Sequence, residues 1–310
     1  MKRLSDVIII GGGPAGLSAA LWCRDLGLDA ILFERSDDLG GQLLWIHGRI
    51  ENYLGLTVAN GRELRDQFVE HLSAREIVPI KTSPVTSIDV VRKMVTLENG
   101  EKYAAGAVVI ATGVRRRSLS VPGEQEFLGK GILSSGAASK KDVGGQKIVI
   151  VGGGDAAIEN SVILSEFAEK VTVVHRRSEF RARPALLDAA EKIANIEFIL
   201  DTEVAAVLGD DKVTSVEITS VRDRGGRTIP ADSVLIRIGV QPNTEILNGQ
   251  LELDADGYVR VGSSGASSVP AIFAVGDVAN PVSPTISTAV GGGATAAKSV
   301  SALIKASLNQ

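Results

Sequence analysis

The sequence predicts an α/β protein built from two copies of one βαβ unit, the second copy inserted within the first. Three observations carry that reading. Each copy opens with a short apolar strand running into a glycine turn: Val7-Ile8-Ile9-Ile10 before Gly11-x-Gly13-x-x-Gly16, and Ile148-Val149-Ile150-Val151 before Gly152-x-Gly154-x-x-Ala157. Both runs are continuous Val and Ile rather than alternating, the pattern of strands buried on both faces of a parallel sheet. The two turns recur at a spacing of about 140 residues, which is the scale of a domain duplication and not of a solenoid repeat.

Taken in order, the chain opens strand, glycine turn, helix, strand. The turn is Gly11-Gly12-Gly13-Pro14, a helix is expected at 15–26, and Ala30-Ile31-Leu32-Phe33 forms the next strand before Glu34. Together they make a βαβ unit of roughly 30 residues. A looser segment covers 37–60, followed by an expected helix at 61–75. Apolar segments at 85–88 and 94–97 predict a small antiparallel ribbon, with Asn99-Gly100 as a turn signal. The strand Val108-Val109-Ile110 ends in Ala111-Thr112-Gly113, and the Gly-, Ser- and charge-rich stretch 114–142 reads as a crossover. The second unit then gives a strand at 147–151, a helix to about residue 168, and a strand at 171–174. The middle ends near 235–239. A last strand, Ala271-Ile272-Phe273-Ala274-Val275, meets Gly276-Asp277, and a helix of small residues at about 285–305 closes the chain. This order predicts two Rossmann-like nucleotide-binding domains of the three-layer ββα type, one at 1–114 with 244–310 and the inserted one at 115–243.

Composition bounds the function. A length of 310 residues allows one large or two ordinary domains. The 34 glycines and 44% hydrophobic content suit buried parallel strands joined by tight turns. A net charge of −4 argues against a broad nucleic-acid-binding surface. One cysteine excludes an internal disulfide scaffold and points to a reducing compartment. Met1-Lys2-Arg3 resembles a signal-peptide start, but the apolar run after it is too short for a signal core and ends in glycines. No stretch approaches the roughly 18 apolar residues of a membrane span. A soluble, cytoplasmic protein without a metal site is expected.

At the first turn each glycine has a mechanical task. Gly11 permits the tight turn, Gly13 lets backbone approach a pyrophosphate, and Gly16 lets helix and strand pack closely. Pro14 and Ala15 lead into the helix, whose N-terminus offers free N–H groups and a positive dipole end to phosphates. Glu34, at the end of the second strand, can accept both hydroxyls of a ribose.

The second unit repeats this geometry with Gly152 and Gly154, but its second strand ends in His175-Arg176-Arg177, with Arg181 shortly after. A carboxylate there would repel a ribose 2′-phosphate, whereas guanidinium groups bind one bidentately. The residues therefore predict NADPH in preference to NADH. A solvated basic turn is the plainer alternative for such a charge run.

The motifs together resemble one family. Gly11-Gly12-Gly13-Pro14-Ala15-Gly16, Gly40-Gly41-Gln42-Leu43, Glu51-Asn52-Tyr53, Ala111-Thr112-Gly113, Val121-Pro122-Gly123-Glu124 and Gly152-Gly153-Gly154-Asp155-Ala156-Ala157 run in family order. His175-Arg176-Arg177 with Arg181, Ile238-Gly239, Pro242-Asn243-Thr244 and Val275-Gly276-Asp277-Val278 continue the series. Along nearly its whole length the chain resembles the low-molecular-weight thioredoxin reductases. The resemblance implies FAD at the first site and NADPH at the second. It further implies homodimers, and rotation of one domain against the other about linkers near 114–117 and 242–244. Carried over by motif, Gln42, Asn52 and Asp277 are expected to contact FAD, Asp277 through the ribityl chain, with backbone help from Val85, Ala111, Thr285 and Ile286. Arg35, Gly41, Leu43, Thr112, Gly113 and Gly276 join that expected set. Asp155, Ala156, Ile238 and Gly239 join the NADPH set.

The chain departs from the family where its disulfide should be. The slot for the redox-active Cys-x-x-Cys reads Ser135-Gly136-Ala137-Ala138. A hydroxyl cannot take two electrons from a flavin as a disulfide does, so ordinary thioredoxin reduction is excluded on chemical grounds. Ser135 is expected to fill space or to make a hydrogen bond, because no base adjoins it in sequence to activate it. Cys23 falls on the sheet-facing side of the first βαβ helix, where a free cysteine behaves as a small hydrophobe. The loop Leu44-Trp45-Ile46-His47-Gly48-Arg49 is longer than in the disulfide enzymes, and Trp45 or His47 could cover a flavin or merely sit exposed. Ser283-Pro284 replaces the family's Arg-Gln pair. Gly291-Gly292-Gly293 is unfavourable inside a helix, which suggests close packing of backbone on the flavin or on a dimer partner.

Three functions remain open. Thioredoxin-reductase-like chains without the cysteine pair are known as ferredoxin–NADP reductases, so the first is hydride exchange with NADP(H) and single-electron transfer to a ferredoxin or flavodoxin. Arg115-Arg116-Arg117 and Lys140-Lys141 would be candidates for docking an acidic partner. The second is direct reduction of a small molecule, a quinone or oxygen. The third is a redox sensor that binds FAD and nucleotide without turnover. No catalytic residue is assigned from the sequence.

Overall fold

The computed structural model describes residues 2–308. The chain divides into two compact units, Met1–Arg115 with Gln241–Gln310, and Arg116–Val240. The expected boundaries at 114 and 244 thus shift inward on the inserted segment. Arg115 Nη1 donates to Asn243 Oδ1 at 2.8 Å, which ties residue 115 to the returning segment.

In chain order the first segment contributes β1 (Lys2–Ile10), α1 (Pro14–Asp25), β2 (Ala30–Phe33), α2 (Gly61–Ser73), β3 (Val85–Asp89), β4 (Met94–Leu97) and β5 (Lys102–Ile110). The short strand β6 (Val114–Arg116) leads into β7 (Ile132–Leu133), α3 (Gly136–Ser139), β8 (Lys147–Val151), α4 (Asp155–Ser165), β9 (Lys170–Val174) and α5 (Pro184–Glu191). Then come β10 (Ile196–Ile199), β11 (Thr202–Gly209), β12 (Val213–Ser220), β13 (Gly226–Pro230) and β14 (Ser233–Ile236). The chain returns through β15 (Val240–Pro242), β16 (Ile272–Ala274) and α6 (Ile286–Leu308).

In the first unit the sheet order is β2-β1-β5-β4-β3, with β16 also paired to β5. The β1, β2, β5 and β16 pairings are parallel, while β3-β4-β5 is antiparallel. Asn99-Gly100 turns between β4 and β5, not within the β3–β4 ribbon. Alternate residues of β1 serve two cores. Val7 and Ile9 face α1 and α6, together with Leu17, Ala19, Cys23, Ala296 and Val300. Ile8 and Ile10 face the other side, with Ile88, Val95, Leu97 and Leu247. A strand segment with a core on both faces has to be apolar at every position, which is why Val7–Ile10 of β1 shows no alternation.

The register aligns the strand ends. Phe33, Ile10, Ile110 and Ala274 are Cα partners across β2, β1, β5 and β16. The next residues, Glu34, Gly11, Ala111 and Val275, therefore form one row at the carboxyl edge, where open α/β sheets bind ligands.

The second unit repeats this plan. Its central sheet is β10-β9-β8-β14-β7, all parallel. Ile148 and Ile150 pack toward α4 and α5 with Ile158, Leu164 and Ala190. Val149 and Val151 pack toward the antiparallel β11-β12-β13 sheet with Val204, Val207, Val213, Val216 and Ile218. The result is three layers, one helical and two of strands. Here Val174, Val151 and Ile236 share a row, followed by His175, Gly152 and Arg237.

Candidate functional site

The glycine positions of the first turn are dictated by contact. Gly11 has φ +108°, and a Cβ there would collide with the Ala111 carbonyl. A Cβ on Gly16 would fall inside the van der Waals envelope of the Gly11 carbonyl oxygen. At Gly13 the nearest atom a Cβ would meet is the Gly41 Cα, 3.9 Å away, so the space in front of this backbone is clear. Gly13 is also the N-cap of α1 and supplies no side-chain cap. The first N–H groups of α1 are thus left for another acceptor, as an anion-binding helix start requires.

Glu34 is buried at the rim of this turn. Its Oε2 accepts from the Gly12 amide at 2.6 Å, and its Oε1 accepts from the Ser36 amide and hydroxyl at 2.9 and 2.8 Å. Arg35 beside it is exposed. The Gly40 amide donates to Gly12 O at 2.8 Å, which brings Gly41, Gln42 and Leu43 to the turn. The Gln42 amide donates to the Asp277 carboxylate. Burial pushes the Asp277 carboxyl up from its ordinary value, and the Gln42 bond offsets part of that. Gly276, at φ +72°, lies against Ala15, so Asp277 is delivered to the same edge. Thr112 Oγ1 donates to Asn243 O at 2.8 Å, and the Asn243 side chain donates to Thr112 O at 2.7 Å. The Gly113 carbonyl accepts from the Asn243 amide. Thr285 and Thr288 cap α6 reciprocally, each hydroxyl accepting from the other's amide at 3.2 Å, so Ile286 begins the helix. Val85 is half-buried in β3 and Asn52 is exposed. Trp45 and His47 are both exposed at the end of the loop that follows Gln42.

A buried carboxylate at the rim, a clear glycine cradle, an uncapped helix start and a part-buried Asp–Gln pair fit an adenine dinucleotide with a polar chain beyond its pyrophosphate. FAD has those parts.

In the second unit Gly152 has φ +148°, and a Cβ there would collide with Arg237 O. Gly154 has nothing within 4 Å of a Cβ and caps α4 without a side chain. The His175 ring lies directly against Gly153, so this glycine too has no room for a side chain. His175 Nε2 is 3.1 Å from Glu179 O, and the ring stacks on Phe180 at 5.2 Å between centroids. Burial lowers the His175 pKa, and the charges of Arg177, Arg181 and Arg176 lower it further against the Glu179 contact. Those three guanidinium groups are exposed around the neutral ring. Asp155, in the first turn of α4, accepts from the Arg183 amide and Nε at 2.8 and 2.7 Å, which together hold its carboxyl below the ordinary value. Ala156 is exposed, while Ile238 is half-buried and Gly239, at φ +95°, exposed. The cluster fits a dinucleotide bearing a phosphate on its adenosine ribose.

Ser135 is buried as the N-cap of α3, its hydroxyl accepting from the Ala138 amide at 3.4 Å. A Cβ on Gly136 would collide with the Asn160 side chain. Cys23 is fully buried in the α1 core, where desolvation, aided by the Asp6 charge, pushes its thiol up to about 12. Of the three glycines of α6, Gly293 is packed closely against α1, while a Cβ on Gly291 would meet nothing within 4 Å. A Cβ on Gly293 would collide with Ala15 O, and Ser18 Oγ donates to Val290 O at 2.7 Å. Of the basic run, Arg115 pairs with Glu245, while Arg117 Nε donates to Val240 O at 2.9 Å. Sequence reasoning missed Ser36, Arg183 and Arg237. Ser36 lies three residues after the end of β2 and Arg183 nine after the end of β9, strand ends that the motifs do mark.

Among the described residues no helix is long and apolar enough to cross a membrane, and no group of three or more His, Cys, Asp or Glu is placed to hold a metal ion.

Comparison with known proteins agrees with this geometry. The family model for pyridine nucleotide-disulphide oxidoreductases matches residues 5–293. The thioredoxin reductase of Mycolicibacterium smegmatis is 36% identical over 298 residues, covering 95% of each chain. A bifunctional thioredoxin reductase/thioredoxin of Mycobacterium leprae is 36% identical over 301 residues, 96% of this chain and 65% of that protein. The present chain thus spans about two thirds of the length of that bifunctional relative. Among solved structures, the Lactococcus lactis thioredoxin reductase in its FR conformation superposes with a TM-score of 0.82 at 32% identity, covering 96% of this chain and 97% of the other. The chain belongs to the pyridine nucleotide-disulphide oxidoreductase family, as a thioredoxin reductase-like, NAD(P)H-dependent flavoprotein oxidoreductase with FAD and NADPH as cofactors.

Proposed function

We propose that the first unit holds FAD, the inserted unit holds NADPH, and electrons leave the flavin directly for an external acceptor of the ferredoxin or flavodoxin type. One observation carries the last step. The relatives named above are thioredoxin reductases, yet the single sulfhydryl of this chain is Cys23, fully buried with its thiol pushed up to about 12. A thiolate is the reactive form of cysteine, so this group is inert at neutral pH, and no second cysteine exists to pair with it. When bound, FAD accepts a hydride from NADPH and can return electrons one at a time, which suits a one-electron partner.

The residues divide the binding work. The Gly11–Gly16 turn and the start of α1 take the FAD pyrophosphate, Glu34 its ribose, and Gln42 with Asp277 its ribityl chain. Arg35, Leu43, Asn52, Val85, Ala111, Thr112, Gly113, Thr285 and Ile286 complete that set. Gly152, Gly154 and the start of α4 take the NADPH pyrophosphate, with Asp155, Ala156, Ile238 and Gly239 around it. Arg176, Arg177 and Arg181 take the 2′-phosphate, and His175 braces the turn behind them. The exposed Lys140 and Lys141 of the inserted unit supply positive charge for an acidic partner. The protein is proposed to act as a cytoplasmic homodimer.

Stopped-flow mixing of the yellow protein with NADPH tests the reading. Fast loss of flavin absorbance, unchanged in Cys23→Ala and followed by cytochrome reduction only when ferredoxin or flavodoxin is added, is the expected result. Bleaching that feeds a quinone or oxygen equally well overturns the protein acceptor. Absence of bleaching over minutes overturns both enzyme readings in favour of a sensor.

A further inference from the structure

Asp155 is the first residue of α4, at the helix end proposed to take the nucleotide pyrophosphate. A carboxylate in the first turn of a helix is itself an anion at the positive end, so it competes there with a bound phosphate. In this chain both oxygens of that carboxylate bond to one residue. Oδ1 accepts from the Arg183 amide at 2.8 Å and Oδ2 from Arg183 Nε at 2.7 Å. Arg183 is also the N-cap of α5, with Pro184 as the first helical residue. The carboxylate of Asp155 is therefore offset by a guanidinium and by the positive end of a second helix. The N-cap of α4, Gly154, has no side-chain cap, so the first N–H groups of α4 are left for an external acceptor.

The same bonds close the basic loop onto the glycine turn. The Arg181 amide donates to Gly153 O at 2.8 Å, and the His175 ring lies against Gly153. The loop that carries Arg176, Arg177 and Arg181 is thus fastened at His175, Arg181 and Arg183. Arg183 itself lies beyond the His175-Arg176-Arg177 and Arg181 motif and has no part in reading a 2′-phosphate in the assignment above.

We propose that Arg183 is a positioning residue for the nucleotide: by holding and neutralising Asp155, it lets the start of α4 accept a pyrophosphate. The role rests on the nucleotide assignment to the inserted unit. Because the pyrophosphate is common to NADP(H) and NAD(H), Arg183 acts on both alike, whereas Arg176 and Arg177 act on NADP(H) alone. Arg183 is exposed and Asp155 half-buried, so loss of the pair costs little stability and its effect on binding can be read separately.

Isothermal titration of the full-length flavoprotein with NADP⁺, and separately with NAD⁺, tests the role, with melting curves to check folding. Arg183→Gln leaves the Asp155 charge uncompensated and is expected to weaken both nucleotides by the same factor, about fivefold or more. Adding Asp155→Asn to Arg183→Gln removes that charge and is expected to return both affinities to within about twofold of wild type. Arg183→Lys keeps the positive charge and is expected to retain most of the affinity. Arg176→Gln/Arg177→Gln should weaken NADP⁺ only. Wild-type titrations for Arg183→Gln beside a loss of NADP⁺ binding in Arg176→Gln/Arg177→Gln would overturn the role of Arg183 and leave the nucleotide assignment standing. Equal weakness in Arg183→Gln and in the double variant with Asp155→Asn would overturn it too, since charge would then not be the cause. Weakening of NADP⁺ alone by Arg183→Gln would make the residue a 2′-phosphate ligand, contrary to the proposal. Unchanged titrations in both Arg183→Gln and Arg176→Gln/Arg177→Gln would overturn the assignment and the role together.

Discussion

The Gly12 amide donates to Glu34 Oε2 at 2.6 Å, so the carboxylate just after β2 is part of the first glycine turn as well as the residue proposed to take a ribose at its rim. Its other oxygen is held by Ser36. Both oxygens face donors, and an amide cannot satisfy both, because its NH₂ would point at an N–H. Hydrogen bonds to a charged partner contribute about 1.5–3 kcal/mol each. Glu34→Gln is therefore expected to lower stability by about 1.5–3 kcal/mol and to speed flavin loss. Urea denaturation and flavin release on dialysis measure the two effects, and unchanged stability would show that the turn is braced elsewhere.

Two of the three glycines of α6 make opposite predictions. A Cβ on Gly291 has nothing within 4 Å, so Gly291→Ala gains the helix propensity of alanine, about 1 kcal/mol. A Cβ on Gly293 collides with the Ala15 carbonyl, the Ala19 amide and the Ser18 side chain, all on α1. Gly293→Ala is expected to destabilise despite the same propensity gain, by roughly 1–3 kcal/mol as an overpacked core contact does. Paired denaturation curves decide, and stabilisation by both variants would contradict the α1–α6 packing.

These glycines show where the sequence could be read and where it could not. The β1 and β8 strands, the turns after them and Glu34 were legible, because each obeys a local rule of period, turn conformation or charge. That a glycine of the Gly291-Gly292-Gly293 run sits in close packing was also legible, and Gly293 is that glycine. The surface Gly293 packs on was not, since α1 lies far away in the chain and no local pattern names a partner. The same applies to β11-β12-β13, whose half-exposed strands carry weak signals. Arg237 stood beside the recognised Ile238-Gly239, but its bond to the Ser134 carbonyl depends on β7 lying beside β14 in the sheet. His175 read as a ligand alongside its arginines, whereas its ring is a wedge against Gly153.

The arginines around that ring are the proposed readers of the NADPH 2′-phosphate. Arg176→Gln/Arg177→Gln should raise the KM for NADPH by about 10-fold or more, since each 1.4 kcal/mol of lost binding is tenfold. The KM for NADH should change little, because NADH has no 2′-phosphate to lose. Steady-state kinetics with both nucleotides give the ratio, and an unchanged preference would return the arginines to the status of a solvated turn.

His175 couples this corner to pH. Burial and three neighbouring guanidinium charges hold its pKa below the ordinary 6.5 in the folded state. The unfolded chain then takes up the proton first as pH falls. Stability follows the proton difference, rising with pH wherever the unfolded state binds more protons. The His175 contribution is thus present in full above pH 6.5, is eroded as pH falls from there toward the folded value, and changes no further below it. His175→Phe keeps a ring against Gly153 and Phe180 but carries no titrating group. The difference in unfolding free energy between wild type and this variant, followed from pH 8 to pH 5, should therefore shift against wild type only below about pH 6.5. Because Arg176, Arg177 and Arg181 contribute to the depression, NADPH bound at that cluster should weaken the pH dependence by neutralising them. A difference that stays flat across the range would mean that the ring is not held neutral by burial, and a shift in favour of wild type at low pH would reverse the sign of the coupling.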